Sequence, residues 1–170
     1  MKTAISYAAV VVLTAGLVTA QQSPKAETSA MVGGKTVTIK YSAPSVRGRK
    51  MFGDGGRISQ DPTYPVWRAG ANSATSLHTD ADLMIGNLSV PKGDYTLFVN
   101  VKDPDAWELI VNKQTGQWGL SYKGSEDLGR TKMTMSKPPA PIETFKITLS
   151  PTTLEMAWEN HVATVPLMVK

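Results

Sequence analysis

Lys35-Thr-Val-Thr-Ile-Lys-Tyr41 places Val37, Ile39 and Tyr41 on one side of an extended chain and Thr36, Thr38 and Lys40 on the other. That period of two marks a strand with one face on a core and the other in water. The same alternation returns in Tyr95, Leu97, Val99 and Val101, and again in Trp107, Leu109 and Val111. Between those two runs, Lys102-Asp-Pro-Asp-Ala106 carries the turn chemistry of a hairpin. Further strands are expected at Phe145, Ile147 and Leu149, at Leu154, Met156 and Trp158, and at Ala163, Val165 and Leu167. Pro and Gly punctuate these runs, and no window carries a capped helical stripe. The expected fold is all-β: an antiparallel β-sandwich or jelly-roll-like barrel, in a single domain over residues 35–170.

Working outward from that domain, residues 21–34 are small and polar, with Pro24 and the Gly33-Gly34 pair, and read as a disordered polar leader. Residues 1–20 carry Lys2, a mostly apolar stretch from Ala8 to Val18, and Val18-Thr-Ala20 ahead of Gln21. This is the pattern of a signal peptide cleaved after Ala20, which makes the expected location periplasmic or extracellular. The apolar run is shorter than the roughly 20 residues that span a bilayer, and no second run follows, so no membrane span is expected.

The 170 residues include no cysteine and two histidines. Disulfides, thiolate metal sites, iron–sulfur clusters and a cysteine nucleophile are thereby excluded, as is a three-histidine metal site within the chain. A mature chain of about 150 residues can bury enough surface to fold without such staples. Loss of Lys2 on cleavage lowers the formal net charge from +4 to +3. Arg47, Arg49, Lys50 and Arg57 crowd one segment facing only Asp54. Nucleic-acid binding would need a broader basic face with interleaved aromatics, so no nucleic-acid partner is expected.

Catalytic motifs are weak. Ser89-Val-Pro-Lys92 has the spacing of a serine–lysine pair, but Pro91 and Gly93 forbid the helical turn that would join them. Glu155 and Glu159, four residues apart on a strand, would stand about 13 Å apart, beyond glycosidase range. His78-Thr-Asp80-Ala-Asp82 and Glu159-Asn-His161 are the clusters with imidazole near carboxylate. A polar strand face explains the first, so no metal, cofactor or catalytic residue is assigned.

Two stretches resist a plain sandwich. Tyr41-Ser-Ala-Pro-Ser45-Val-Arg47-Gly-Arg49 runs off the first strand, and Val66-Trp67-Arg68-Ala-Gly-Ala-Asn72 follows the long, Gly- and Pro-rich loop from Arg47 to Tyr64. Arginine offers a planar fork to carboxylate, sulfate or phosphate, and a tryptophan face suits a sugar. Ser45, Arg47, Arg49, Trp67, Arg68 and Asn72 are therefore the candidate ligand residues. The structural alternative pairs Arg47 or Arg68 with an internal carboxylate such as Glu159, and uses Asn72 to satisfy backbone at a turn.

The same stretches carry a resemblance. Y-S-x-P-S-x-R-G-R at Tyr41 to Arg49, V-W-R-x-G-A-N-x-A-T at Val66 to Thr75, and P-x-G-x-Y-x-L-F at Pro91 to Phe98 are similar to motifs of the bacterial domain of unknown function 2911 family. Asn112-Lys113, Trp118-Gly119, Trp158-Glu159-Asn160 and Val165-Pro166 extend the match in order along the mature chain. The resemblance implies a secreted, mostly β, bacterial protein and carries no reaction, ligand or catalytic residue with it. One departure is Asp54-Gly-Gly-Arg-Ile-Ser-Gln-Asp-Pro-Thr63, which lacks the apolar lead-in to Pro-Tyr-Gly of relatives.

The reading that follows is a secreted β-sandwich that binds an anionic or sugar-like ligand, or an envelope partner, without catalysis. One alternative is a hydrolase of an envelope or extracellular polymer, with His78 as its base. Another is a structural or interaction module, in which Phe98 and Ile110 lie on strand faces that alternation leaves to solvent; strands buried on both sides would also account for them. Oligomeric state is left open.

Overall fold

In the computed structural model, which describes residues 22–170, the alternating runs become strands of two antiparallel sheets. The strands in chain order are β1 (Lys25–Val32), β2 (Lys35–Ser42), β3 (Val66–Trp67), β4 (Thr75–Thr79), β5 (Leu83–Ile85), β6 (Leu88–Val90), β7 (Gly93–Asn100), β8 (Glu108–Asn112), β9 (Asp127–Lys132), β10 (Thr134–Ser136), β11 (Ile142–Leu149), β12 (Thr153–Glu159) and β13 (His161–Val169). The first sheet runs β1-β2-β4-β7-β8-β9, with β3 also paired to β7. The second runs β11-β12-β13-β5-β6, with β10 also paired to β13. Each order ends in free edges, so the fold is a β-sandwich and not a closed barrel. No helix among the described residues is long and apolar enough to cross a membrane. The expected signal peptide, residues 1–20, lies outside the described residues.

Val37 and Ile39 of β2, Leu97 and Val99 of β7, and Leu109 and Val111 of β8 face Ile147, Leu154, Met156 and Val165 across one continuous core. An aromatic cluster fills one end. Trp67 stacks on Trp158 at 5.7 Å and 17°, and Phe52 meets Trp67, Trp107 and Trp158 at 5.5, 4.8 and 5.8 Å.

Phe98 and Ile110, on the opposite faces of β7 and β8, are fully buried with Val66. Residues 113–126 fold back over them, and Tyr122 packs edge-on to Phe98 at 4.9 Å. Burial, with hydrogen bonding to Asp127 behind it, pushes the Tyr122 phenol up to about 12. The chain covers its own apolar face, so these residues need no partner.

The expected disordered leader over 21–34 is corrected. Residues 25–32 form β1, paired with β2 in unbroken register from Lys25 opposite Ser42 to Val32 opposite Lys35. Gly33 and Gly34, at φ of 54° and 79°, make the two-residue turn, because only glycine takes two successive left-handed positions without steric cost. The edge of β11 is closed by side chains of the same hairpin: Leu149 N–H donates to Thr28 Oγ1 and Ile147 N–H to Tyr41 Oη, both at 3.1 Å.

Candidate functional site

The chain leaves β2 at Ser42 and crosses to the other sheet. Phe145 N–H donates to Pro44 O and Val46 N–H to Glu143 O, each at 2.8 Å, so this segment is stitched to the start of β11. A turn follows, with Arg47 and Gly48 at φ of 50° and 69°. Arg49 folds back over it, donating from Nε to Val46 O at 2.9 Å and from Nη2 to Ser45 O at 2.7 Å. Met51 and Phe52 then plunge into the core. A glycine turn and a 3-10 turn at Ile58–Gln60 bring the chain back to Asp61, which is buried. Thus the Gly-rich loop is anchored by three apolar side chains, Met51, Phe52 and Ile58, which leaves Arg49, Arg57 and Asp61 beside the cavity at the sandwich edge.

A cavity of about 160 Å³ opens there, lined by Arg49, Arg57, Asp61 and Arg68 among others. A second hollow of about 150 Å³, lined by Ser45, Arg47 and Arg49, adjoins it, since Ser23, Pro44 and Arg49 line both. Asp61 holds Arg57 Nη1 at 3.2 Å through Oδ1 and Arg68 Nη2 at 3.5 Å through Oδ2. One carboxylate is thereby shared by two guanidinium groups, while Arg49 has no carboxylate partner among the described residues. The Arg68 side chain is only 14% exposed, and its Nε is buried with no hydrogen-bond partner. Burial draws the Arg68 pKa below its ordinary value; Asp61 opposes the shift and Arg57 adds to it. Glycine at 119 is what lets Arg68 lie where it does: a Cβ there would overlap Arg68 Cδ and come within 2.6 Å of Asn72 O. Concavities of about 410 and 440 Å³ elsewhere contain no buried charge.

Of the residues singled out in the sequence, Ser45, Arg47, Arg49 and Arg68 converge on this paired cleft. Ser45 Oγ is 3.1 Å from Thr144 Oγ1, and Arg47 N–H donates to Glu143 Oε1 at 2.8 Å. Trp67 is corrected from ligand platform to core: it is 1% exposed, and its indole N–H donates to Gly70 O at 3.1 Å. Strand β3 ends at Trp67, whose ring packs in the core, while Arg68, the next residue, lines the cavity. Trp158 lines the cavity but is itself only 1% exposed. Asn72 takes the turn role, with φ of 61° and its carbonyl accepting Gly119 N–H at 3.0 Å. The structural alternative holds for Arg68, whose internal carboxylate is Asp61 and not Glu159; Glu159 accepts Met51 N–H at 2.9 Å. Asp61 was not foreseen as part of the site, although its i,i+4 spacing from Arg57 was a usable signal.

His78 lies on the exposed outer face of β4, Nδ1 2.8 Å from Asp94 and Nε2 3.1 Å from Asp80. Its nitrogens point to different carboxylates, so the three groups do not converge on one point. Hydrogen bonding to Asp94 first, then Asp80, raises its pKa above the ordinary 6.5. A raised folded-state value stabilises the fold below pH 6.5 and is lost as pH rises through it, whereas burial lowers His161 and gives the opposite sign. An NMR titration of the ring signals should place the His78 midpoint above that of His161, and Asp94→Asn should pull His78 back down. The reverse order would contradict these environments.

No curated protein and no solved structure matches the chain. The arginine-rich edge and the sandwich that carries it lie within the residues 23–167 matched by a family model, and the chain belongs to that family, described as protein of unknown function (DUF2911).

Proposed function

We propose that the cleft at Arg49, Arg57 and Arg68 binds an anionic group of a larger extracellular or periplasmic ligand, and that the protein is a secreted, non-catalytic binding module. The observation that carries this is charge balance: three guanidinium groups line one small cavity against one carboxylate. A desolvated, incompletely hydrogen-bonded guanidinium such as Arg68 gains from an anion placed beside it. About 160 Å³ suits a phosphate, sulfate or carboxylate group better than a whole sugar, and the adjoining hollow toward Arg47 gives the rest of the ligand a path. A sugar platform has less support, since both nearby indoles are buried. The hydrolase alternative would have to rest on His161, because His78 lies on an exposed sheet face.

Inorganic phosphate is the simplest probe. Thermal unfolding of the wild-type protein should rise with phosphate by mass action. Arg49→Gln, which alters an exposed side chain, should weaken the response about tenfold by removing a charged donor. General salting effects act on both proteins alike, so equal phosphate responses in the two would sink the proposal.

A further inference from the structure

Phe52 also touches His161, at 4.9 Å, and beyond that ring lies a separate cavity of about 190 Å³ that shares no residue with the arginine cleft. His161 is clamped, its face stacked on Trp107 at 5.5 Å and 17°. Its Nδ1 is buried without a hydrogen-bond partner, 3.8 Å from Glu159 Oε2. Glu159 occupies the first position of a two-residue hairpin turn at φ of 52°, a conformation that favours Gly, Asn or Asp. Its other oxygen is tied to Met51 N–H, so the carboxylate is fixed beside the ring. A carboxylate on that side favours the proton on Nδ1 and leaves the Nε2 lone pair as an acceptor. Burial, which lowers the His161 pKa, keeps the ring neutral near pH 7.

The rest of the lining supplies both signs of charge. Asp105 comes from the β7–β8 turn and Lys137 from the segment after β10, both exposed, with the Asn160 amide alongside. A simple anion would meet Asp105 and a simple cation would meet Lys137, whereas a species carrying both charges finds a complement for each. Ser136 offers no nucleophile to the ring: it pairs with Val162, so alternation places its side chain on the face opposite that of His161. We propose that this cavity is a binding site for a small zwitterion of the α-amino-acid class, with its carboxylate at Lys137 and its ammonium between Asp105 and His161 Nε2.

Two histidines give two ring signals, so NMR reads the site directly. Titration with L-alanine should shift the His161 signal saturably, with a Kd on the order of 1 mM for so few ligand atoms, and leave His78 in place. Lactate and ethylammonium, each carrying one of the two charges, should bind at least about tenfold more weakly, as should alanine to Lys137→Ala, whose exposed position spares the fold. The proposal is overturned if alanine gives no saturable His161 shift, if lactate or ethylammonium matches alanine, or if Lys137→Ala binds as wild type does.

Discussion

Phe52→Ala lowers the stability of the protein by about 3–5 kcal/mol, the range for truncating a buried aromatic. The ring is 3% exposed and meets Trp67, Trp107, Trp158 and His161 with centroid separations of 4.8 to 5.8 Å. Its neighbours belong to β3, to the residue before β8, to β12 and to β13, so they cannot collapse together into the vacated space without moving both sheets. The loss is a large share of the roughly 5–15 kcal/mol that holds a domain folded. Urea unfolding reads it as a lower midpoint at unchanged slope. The same substitution should also blunt the phosphate response of the folded protein, because Phe52 and Met51 anchor the loop that presents Arg49 and Arg57. A loss below about 1 kcal/mol would mean that the loop is held by something other than its aromatic plug.

Phe52 also marks where the sequence stops being readable. Strands with one wet face announce themselves: β2, β11, β12 and β13 alternate, and each was expected at its place. Met51-Phe52 is an apolar pair inside a glycine-rich loop, with no period to say that it turns inward. Strand β1 failed for a different reason. Its inward positions are Ala26, Thr28, Ala30 and Val32, of which only Val32 is large and apolar, so no hydrophobic stripe shows, and its stability comes from the ladder with β2, from Val32 in the core and from Thr28 capping the edge of β11. The Gly33-Gly34 pair, which the sequence places in a disordered polar leader, is a hairpin turn that becomes visible only once both flanks are taken as strands.

The candidate site was legible as a set of residue types and only partly as a place. Arg47, Arg49 and Arg68 stood out because arginine interrupts alternation, and the fold brings them to one edge. Arg68 is held there by Asp61, which also holds Arg57 and whose burial depends on the 3-10 turn and on β3 docking against β7. Pairing of that kind is tertiary, and no spacing rule carries it beyond Arg57. Trp67 beside Arg68 parts from it for the same reason: its ring packs on Trp158, Trp107, Phe52 and Phe145, contacts that only the fold makes.

Asp61→Asn is the substitution that distinguishes a site from a structural ion network, because it moves stability and binding in opposite directions. Asn keeps the shape and removes the charge, leaving Arg68 desolvated without its counter-ion. Removing one partner of a buried pair costs about 3–5 kcal/mol; the cavity opening and the exposed Arg57 reduce this to about 2–3 kcal/mol. Three guanidinium groups then face the cavity with no carboxylate among them. Asp61 is the internal competitor of any incoming anion, so phosphate should bind the variant more tightly than wild type, by about tenfold for one unit of charge at an edge site. Urea unfolding in phosphate should accordingly recover part of the stability that the variant loses in chloride. If Asp61→Asn is destabilised equally in both salts, the arginines serve only to hold the loop, and the anion site does not exist.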